Sequence, residues 1–192
     1  YGLTEMASQV CTARPVAPPA QRMTAGPPLR YRQVRIAPAG EIEVRGETLF
    51  LGYLDDGAVR PQRTADGWYA TGDLGELDAH GNLVVKGRRD FMFISGGENI
   101  QPEEIERVLG QLPEIEEAVV VPVADPEFGE RPVAFVRYRS APVAEEALRH
   151  RLAQALPKYK IPKAFLAWPD DVEPGRKPDR VKLTLEAQLR ML

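Results

Sequence analysis

The chain predicts an α+β protein, with a small antiparallel β-unit followed by a compact α+β domain whose small sheet is flanked by helices. Three observations carry this. The first half is built of short alternating strands separated by Gly, Asp and Asn. The second half alternates strands with helices of 3.6-residue periodicity. Between them lies a polar stretch, Gly87-Arg88-Arg89-Asp90, where a domain boundary is expected.

In the first half, residues 10–30 are rich in Pro and Ala and read as an irregular loop. Gln33–Ile36 and Glu41–Arg45 alternate as strands, with Ile42 and Val44 facing one way and Glu41 and Glu43 the other. Thr48–Leu54 is ambiguous and compatible with one helical turn. Trp68–Thr71 reads as a strand. Leu74–Leu77 and Asn82–Lys86 read as strands about Asp78-Ala79-His80-Gly81-Asn82, which has hairpin-loop chemistry.

In the second half, Phe91–Ser95 is a short strand. Gln101–Leu112 is a helix opened by Pro102 and the acids Glu103, Glu104 and Glu106, which suit the positive end of a helix dipole. Its apolar stripe is Ile105, Val108, Leu109 and Leu112. Ala118–Ala124 is a nearly continuous apolar strand, and Pro122 puts it at an edge or bulge. Arg131–Arg139 and Lys163–Trp168 are strands; Ala144–Leu156 and Arg180–Leu192 are helices.

The 192 residues carry a net charge of −3, which excludes a chain that coats nucleic acid. No apolar run reaches the ~20 residues that span a bilayer. A single cysteine, Cys11, excludes an internal disulfide framework and suits a reducing cytoplasm. Neither His80 nor His150 stands at metal-ligand spacing, so a zinc site is not expected. The chain opens at Tyr1 without a targeting segment and reads as the C-terminal part of a longer protein.

Four stretches bear chemistry. Tyr69-Ala70-Thr71-Gly72-Asp73 places an acid just past a strand end, beside a glycine, where a carboxylate either accepts a ribose diol or simply makes a Gly-Asp turn. Gly87–Asp90 is either a solvated linker or a hinge with Arg88 on a ligand. Ser95-Gly96-Gly97-Glu98-Asn99-Ile100 is either an ordinary turn or a loop that lets a ligand close to the backbone; it lacks the spacing of a P-loop or dinucleotide fingerprint. Glu173-Pro174-Gly175-Arg176-Lys177-Pro178-Asp179-Arg180 is a stiffened basic turn, either solvated or delivering Lys177 somewhere. The acidic cluster Glu103, Glu104 and Glu106 reads as a solvated helix start rather than a metal site.

Taken in order, these stretches together with Tyr1-Gly2-Leu3-Thr4-Glu5 resemble the adenylate-forming superfamily of acyl- and aryl-CoA ligases. The resemblance spans essentially the whole chain. Ser95–Glu106 is similar to the CoA ligases of that family, and Tyr1–Cys11 and Val121–Ala134 look most like the branch acting on 2-succinylbenzoate in menaquinone synthesis.

The resemblance implies two steps, acyl-adenylate formation from ATP and a carboxylic acid, then thioester formation with CoA. It implies that Tyr1 stacks on adenine, Thr4 bonds the α-phosphate and Glu5 helps hold Mg²⁺. Asp73 would take the ribose hydroxyls with Arg88 assisting, and Asp90 would be the hinge of the small domain. Gly96 and Gly97 would admit the pantetheine arm of CoA. Lys177 would reach the carboxylate and α-phosphate during adenylation, as a fixed cation where negative charge is redistributed. Lys163 and Lys182 are lower-ranked alternatives for that cation. The family's Thr-Gly-Lys stands here as Gly175-Arg176-Lys177, so Arg176 replaces a glycine. The resemblance also puts a pyrophosphate-binding loop and most of the acyl pocket upstream of Tyr1, so these residues alone are not expected to turn over.

Overall fold

The computed structural model describes residues 1–15, 18, 24–173, 175 and 178–191. They form two compact units, Tyr1–Asp90 and Phe91–Leu192.

In the first unit, a four-stranded antiparallel sheet runs in the order β3 (Arg32–Ile36), β4 (Glu41–Gly46), β7 (Tyr69–Leu77), β8 (Leu83–Arg88). The hairpin between β7 and β8 is closed by Asp78, whose carboxylate accepts the backbone N–H groups of His80 and Asn82, each at 2.8 Å. Gly81 supplies the positive φ of +75° that this turn needs. Two small hairpins complete the unit: β1 (Gly2–Leu3) with β2 (Ser8–Gln9), and β5 (Tyr53–Asp55) with β6 (Ala58–Arg60). Met6, Val10, Cys11, Ile42, Val44, Leu49 and Leu83 make its core. Among the described residues of 10–30, beyond the end of β2, regular pairing is limited to an isolated bridge between Cys11 and Pro28, as expected for an irregular loop.

Two expectations for this unit are corrected. The segment read as a possible helical turn leads into the β5–β6 hairpin; Asp56 (φ +48°) and Gly57 (φ +74°) make the left-handed two-residue turn favoured in such hairpins. The segments read as two strands, Trp68–Thr71 and Leu74–Leu77, are one strand, β7, so Asp73 lies within a strand and not just past its end. Glu41 and Glu43 are buried along with Ile42 and Val44. The two carboxylates tolerate burial because Arg89 and Arg35 pair with them, at 2.6 and 2.5 Å.

The second unit is organised about β12 (Gly129–Tyr138). β11 (Ile115–Asp125) lies antiparallel along one side. β13 (Phe165–Ala167), parallel, and β9 (Phe93–Ser95), antiparallel, share the other side. β10 (Glu98–Ile100) pairs with β9. The strand containing Pro122 therefore lies at the sheet edge, where a missing N–H is tolerated.

Helices cover both faces. α1 (Pro102–Gly110) and α2 (Glu145–Ala153) bury Ile105, Leu109, Leu148 and Leu152 against Val120, Ala134 and Val136. α3 (Arg180–Arg190) buries Leu183 and Ala187 against Val119, Val121, Val123, Val133 and Phe135. A strand covered on both faces reads as a continuous apolar run, which is why Ala118–Ala124 lacks alternation. α3 is capped by Asp179, whose carboxylate accepts the N–H groups of Val181 (2.9 Å) and Lys182 (3.2 Å). Among the described residues no helix is long and apolar enough to cross a membrane.

Candidate active site

The antiparallel pairing of β7 with β8 sets Asp73 directly opposite Arg88. The pairing of β7 with β4 is interrupted there: Glu43 faces Ala70 and Glu41 faces Leu74, so Thr71, Gly72 and Asp73 bulge out of the ladder. Gly72 takes φ +75°, and a Cβ on it would stand 2.9 Å from the Arg88 guanidinium. Glycine is favoured by the left-handed conformation, and a larger residue would also displace the Arg88 guanidinium. The bulge presents Asp73, whose side chain is 16% exposed.

Asp73 is held from two sides. The Tyr1 hydroxyl donates to Oδ2 at 2.6 Å, and Arg88 Nη1 donates to Oδ1 at 3.2 Å. The same guanidinium donates to the Thr71 carbonyl at 2.9 Å and to Asp90 Oδ2 at 3.1 Å. Burial, and then the Asp73 carboxylate, push the Tyr1 phenol far above its ordinary range, so it stays protonated and donates. An ionised carboxylate has about four acceptor positions, so Asp73 retains capacity for further donors such as a vicinal diol. Tyr1, Asp73, Arg88 and Asp90, from three separate stretches, form one connected set.

Thr4 and Glu5 lie in a 3-10 turn, Thr4–Met6, between β1 and β2, pinned by the buried Met6. Thr4 is exposed beside a shallow concavity lined by Gly2, Leu3, Ala7, Ser8 and Gln9. Glu5 Oε1 accepts the Tyr53 hydroxyl at 2.6 Å, and the Glu5 carbonyl accepts the Phe50 N–H at 2.7 Å. The Phe50 ring stands edge-on to Tyr53 and Tyr69, at 4.9 and 5.4 Å between centroids. The hydrogen bond to Glu5 raises the Tyr53 phenol well above its ordinary value. Tyr53 and Phe50 were not anticipated as neighbours of the site. The signal that locates Tyr53 is Asp56-Gly57, a two-residue hairpin turn three residues on.

Among the described residues no group of three or more His, Cys, Asp or Glu could hold a metal by itself. One carboxylate, Glu5, fits Mg²⁺ held jointly by a protein oxygen and substrate phosphates, the usual arrangement for that ion.

In the second unit, Gly96 and Gly97 form the turn between β9 and β10, with φ +57° and +85°. A Cβ on Gly96 would meet the Phe128 ring at 2.8 Å, whereas one on Gly97 would meet nothing within 4 Å. Gly96 is fixed by packing; Gly97 leaves open backbone. Lys177, with Arg176 and Pro174, lies outside the described residues. The two alternative lysines are each in ion pairs, Lys163 with Asp125 at 2.8 Å and Lys182 with Asp171. The acidic helix start is not wholly solvated: the Glu106 carboxylate takes both nitrogens of Arg180, at 2.7 and 2.9 Å, with their side chains only 16% and 18% exposed.

Residues 104–173 match the family model of the AMP-binding enzyme C-terminal domain. The chain is 41% identical over 175 residues to a 2-succinylbenzoate–CoA ligase of Salmonella typhimurium, covering 91% of this chain and 37% of that protein. It is similar to the solved structure of wild-type E. coli MenE with a bound analogue of OSB-AMS, at 37% identity and TM-score 0.80, covering 97% of this chain and 39% of that one. It is also similar to the Bacillus subtilis o-succinylbenzoate coenzyme A synthetase in complex with ATP and magnesium ion, at 34% identity and TM-score 0.83, covering 95% of this chain and 40% of that one. The chain thus spans about two fifths of the length of these relatives. Family model, relatives and fold agree, and the chain belongs to the adenylate-forming enzymes, in the acyl- and aryl-CoA ligase superfamily.

Proposed function

We propose that this chain is the C-terminal portion of an ATP-dependent carboxylic acid–CoA ligase that acts on 2-succinylbenzoate. The observation that carries the reading is the Asp73 carboxylate, presented on a glycine bulge between the Tyr1 hydroxyl and the Arg88 guanidinium. A buried-edge carboxylate with spare acceptor capacity suits the two hydroxyls of a ribose, and Tyr1 beside it suits an adenine ring. The names of the relatives support the choice of acid.

In the first step a carboxylate oxygen of the acid attacks the α-phosphorus of ATP. The bond from that phosphorus to pyrophosphate breaks, leaving acyl-adenylate. In the second, the thiolate of CoA attacks the acyl carbon and AMP leaves. Thr4 bonds the α-phosphate, Asp73 and Arg88 hold the ribose, and Lys177 supplies the cation between the two reacting anions during adenylation. Glu5 would hold Mg²⁺, which when bound would offset phosphate charge. Asp90 is the hinge about which residues 91–192 turn between steps, and the Gly96-Gly97 turn lies along the pantetheine arm. A neutral phenol at Tyr53 keeps Glu5 oriented through their 2.6 Å hydrogen bond.

The test is a CoA-thioester assay of the full-length protein against a panel of carboxylic acids that includes 2-succinylbenzoate. Highest kcat/KM with 2-succinylbenzoate, with AMP and pyrophosphate released, is expected. Preference for another acid would reassign the substrate, and thioester formation without AMP release would reject adenylation.

A further inference from the structure

We propose that Glu41 is a positioning residue for nucleotide recognition, holding the Asp73 bulge and the Arg88-Arg89 segment in one geometry. The inference rests on the reading of Asp73 as the ribose-binding carboxylate. It starts from a deficit in the sheet. Where Thr71, Gly72 and Asp73 bulge away from β4, the ladder cannot supply an acceptor for the Gly72 N–H. Glu41 supplies it: Oε1 accepts that N–H at 2.9 Å in a buried hydrogen bond.

The other oxygen is also used. Oε2 accepts Arg89 Nη1 at 2.6 Å. Arg89 follows Arg88, and Arg88 holds both the Thr71 carbonyl and the Asp73 carboxylate. One buried carboxylate therefore ties the two strands that meet at Asp73, β7 through its backbone and the end of β8 through a charged side chain. The Glu41 side chain is 10% exposed; its bond to Gly72 is buried, while its bond to the half-exposed Arg89 is partly buried. Two further bonds brace the same corner: Thr71 Oγ1 donates to the Ile42 carbonyl at 2.8 Å, and the Gly75 N–H donates to the Gly40 carbonyl at 2.9 Å. Neither braces Gly72 itself, which is the residue that sets the direction of Asp73.

Glutamine at this position has the same shape but only one acceptor, so it serves Gly72 or Arg89 and turns an amide N–H toward the other. The prediction is a defect specific to the ribose diol. In the full-length protein, binding of AMP and of 2′,3′-dideoxy-AMP is measured for wild type and Glu41→Gln, with melting curves to show that both are folded. Wild type is expected to prefer AMP by about tenfold or more, the scale of hydrogen bonds to a charged group. Glu41→Gln is expected to lose about threefold or more of that preference while its affinity for the dideoxy nucleotide is unchanged. An unchanged preference in Glu41→Gln overturns the role of Glu41 and leaves Asp73 in place. An equal loss for both nucleotides also overturns it, since a merely structural residue behaves that way. No preference in wild type overturns the Asp73 reading, and the role of Glu41 with it.

Discussion

Removing the Glu106 carboxylate should destabilise the second unit, through its pair with Arg180. The pair has two bonds, 2.7 and 2.9 Å, and lies 74 residues apart in sequence. Arg180 also donates to the Val120 carbonyl at 2.8 Å and stacks over the Phe91 ring at 4.7 Å. Glu106 accepts the Val120 N–H at 2.7 Å. Breaking a fully buried pair by removing one partner costs about 3–5 kcal/mol, and an exposed pair is worth about 0.2–1 kcal/mol. Side chains 16–18% exposed belong near the buried end, discounted for residual solvent. Glu106→Gln should therefore cost about 2–3 kcal/mol. Arg180→Met should cost about the same, plus roughly 0.5–1 kcal/mol from the lost stacking on Phe91.

The assay is urea unfolding followed by Trp168 fluorescence in a Trp68→Phe background, since Trp68 and Trp168 lie in different units and are the only two tryptophans. With an m-value of about 1–3 kcal/mol/M, midpoints should fall by about 0.7–3 M. The double variant should be less destabilised than the sum of the singles, by about 1–2 kcal/mol, because the second change removes an already unpaired charge. Unchanged midpoints, or strictly additive effects, would refute a coupled pair.

Three other outcomes are expected. In the full-length protein Lys177→Ala should cut acyl-adenylate formation far more than thioester formation from supplied adenylate; equal loss in both steps would reject its role. Asp90→Pro, which fixes φ, should impair one of these steps selectively, and normal rates in both would remove Asp90 from the hinge. The hydrogen bond from Arg35, then that from Thr64, lowers the Asp66 carboxyl from 3.8 to about 2. A folded-state pKa below the unfolded one contributes stability above the unfolded value and loses it as pH falls toward the folded one. Asp66→Asn should therefore flatten the pH dependence of melting between about 4 and about 2, with little change in its slope above that window. An unaltered acid slope would show that Asp66 gains nothing on folding.

Local chemistry was legible wherever its cause is local. The Asp78–Asn82 loop, the Ile105–Leu109 stripe and the Gly96-Gly97 turn each declare themselves within a few residues. Pro122 marks an edge because a missing donor has one consequence in any sheet. What escaped depends on partners far away. Alternation put Glu41 and Glu43 on the face opposite Ile42 and Val44 but did not show that they are buried there and neutralised by Arg89 and Arg35. Tyr53 meets Glu5 across 48 residues, and Arg180 meets Glu106 across 74. The candidate site residues were named through the resemblance of their stretches to a family, whereas the hydrogen bonds around them are properties of the folded register.

The surroundings of Val120 have a further consequence, for association. An edge strand ordinarily offers a row of free N–H and C=O groups to which another chain can add. On β11 the outward N–H and C=O of Val120 are taken by Glu106 and Arg180, and Pro122, two residues on and facing the same way, has no N–H to give. An acid from the helix on one face and a base from the helix on the other thus stand in for the strand that is not there. At Val120 and Pro122 the edge is blunted against strand addition by two side chains and a proline.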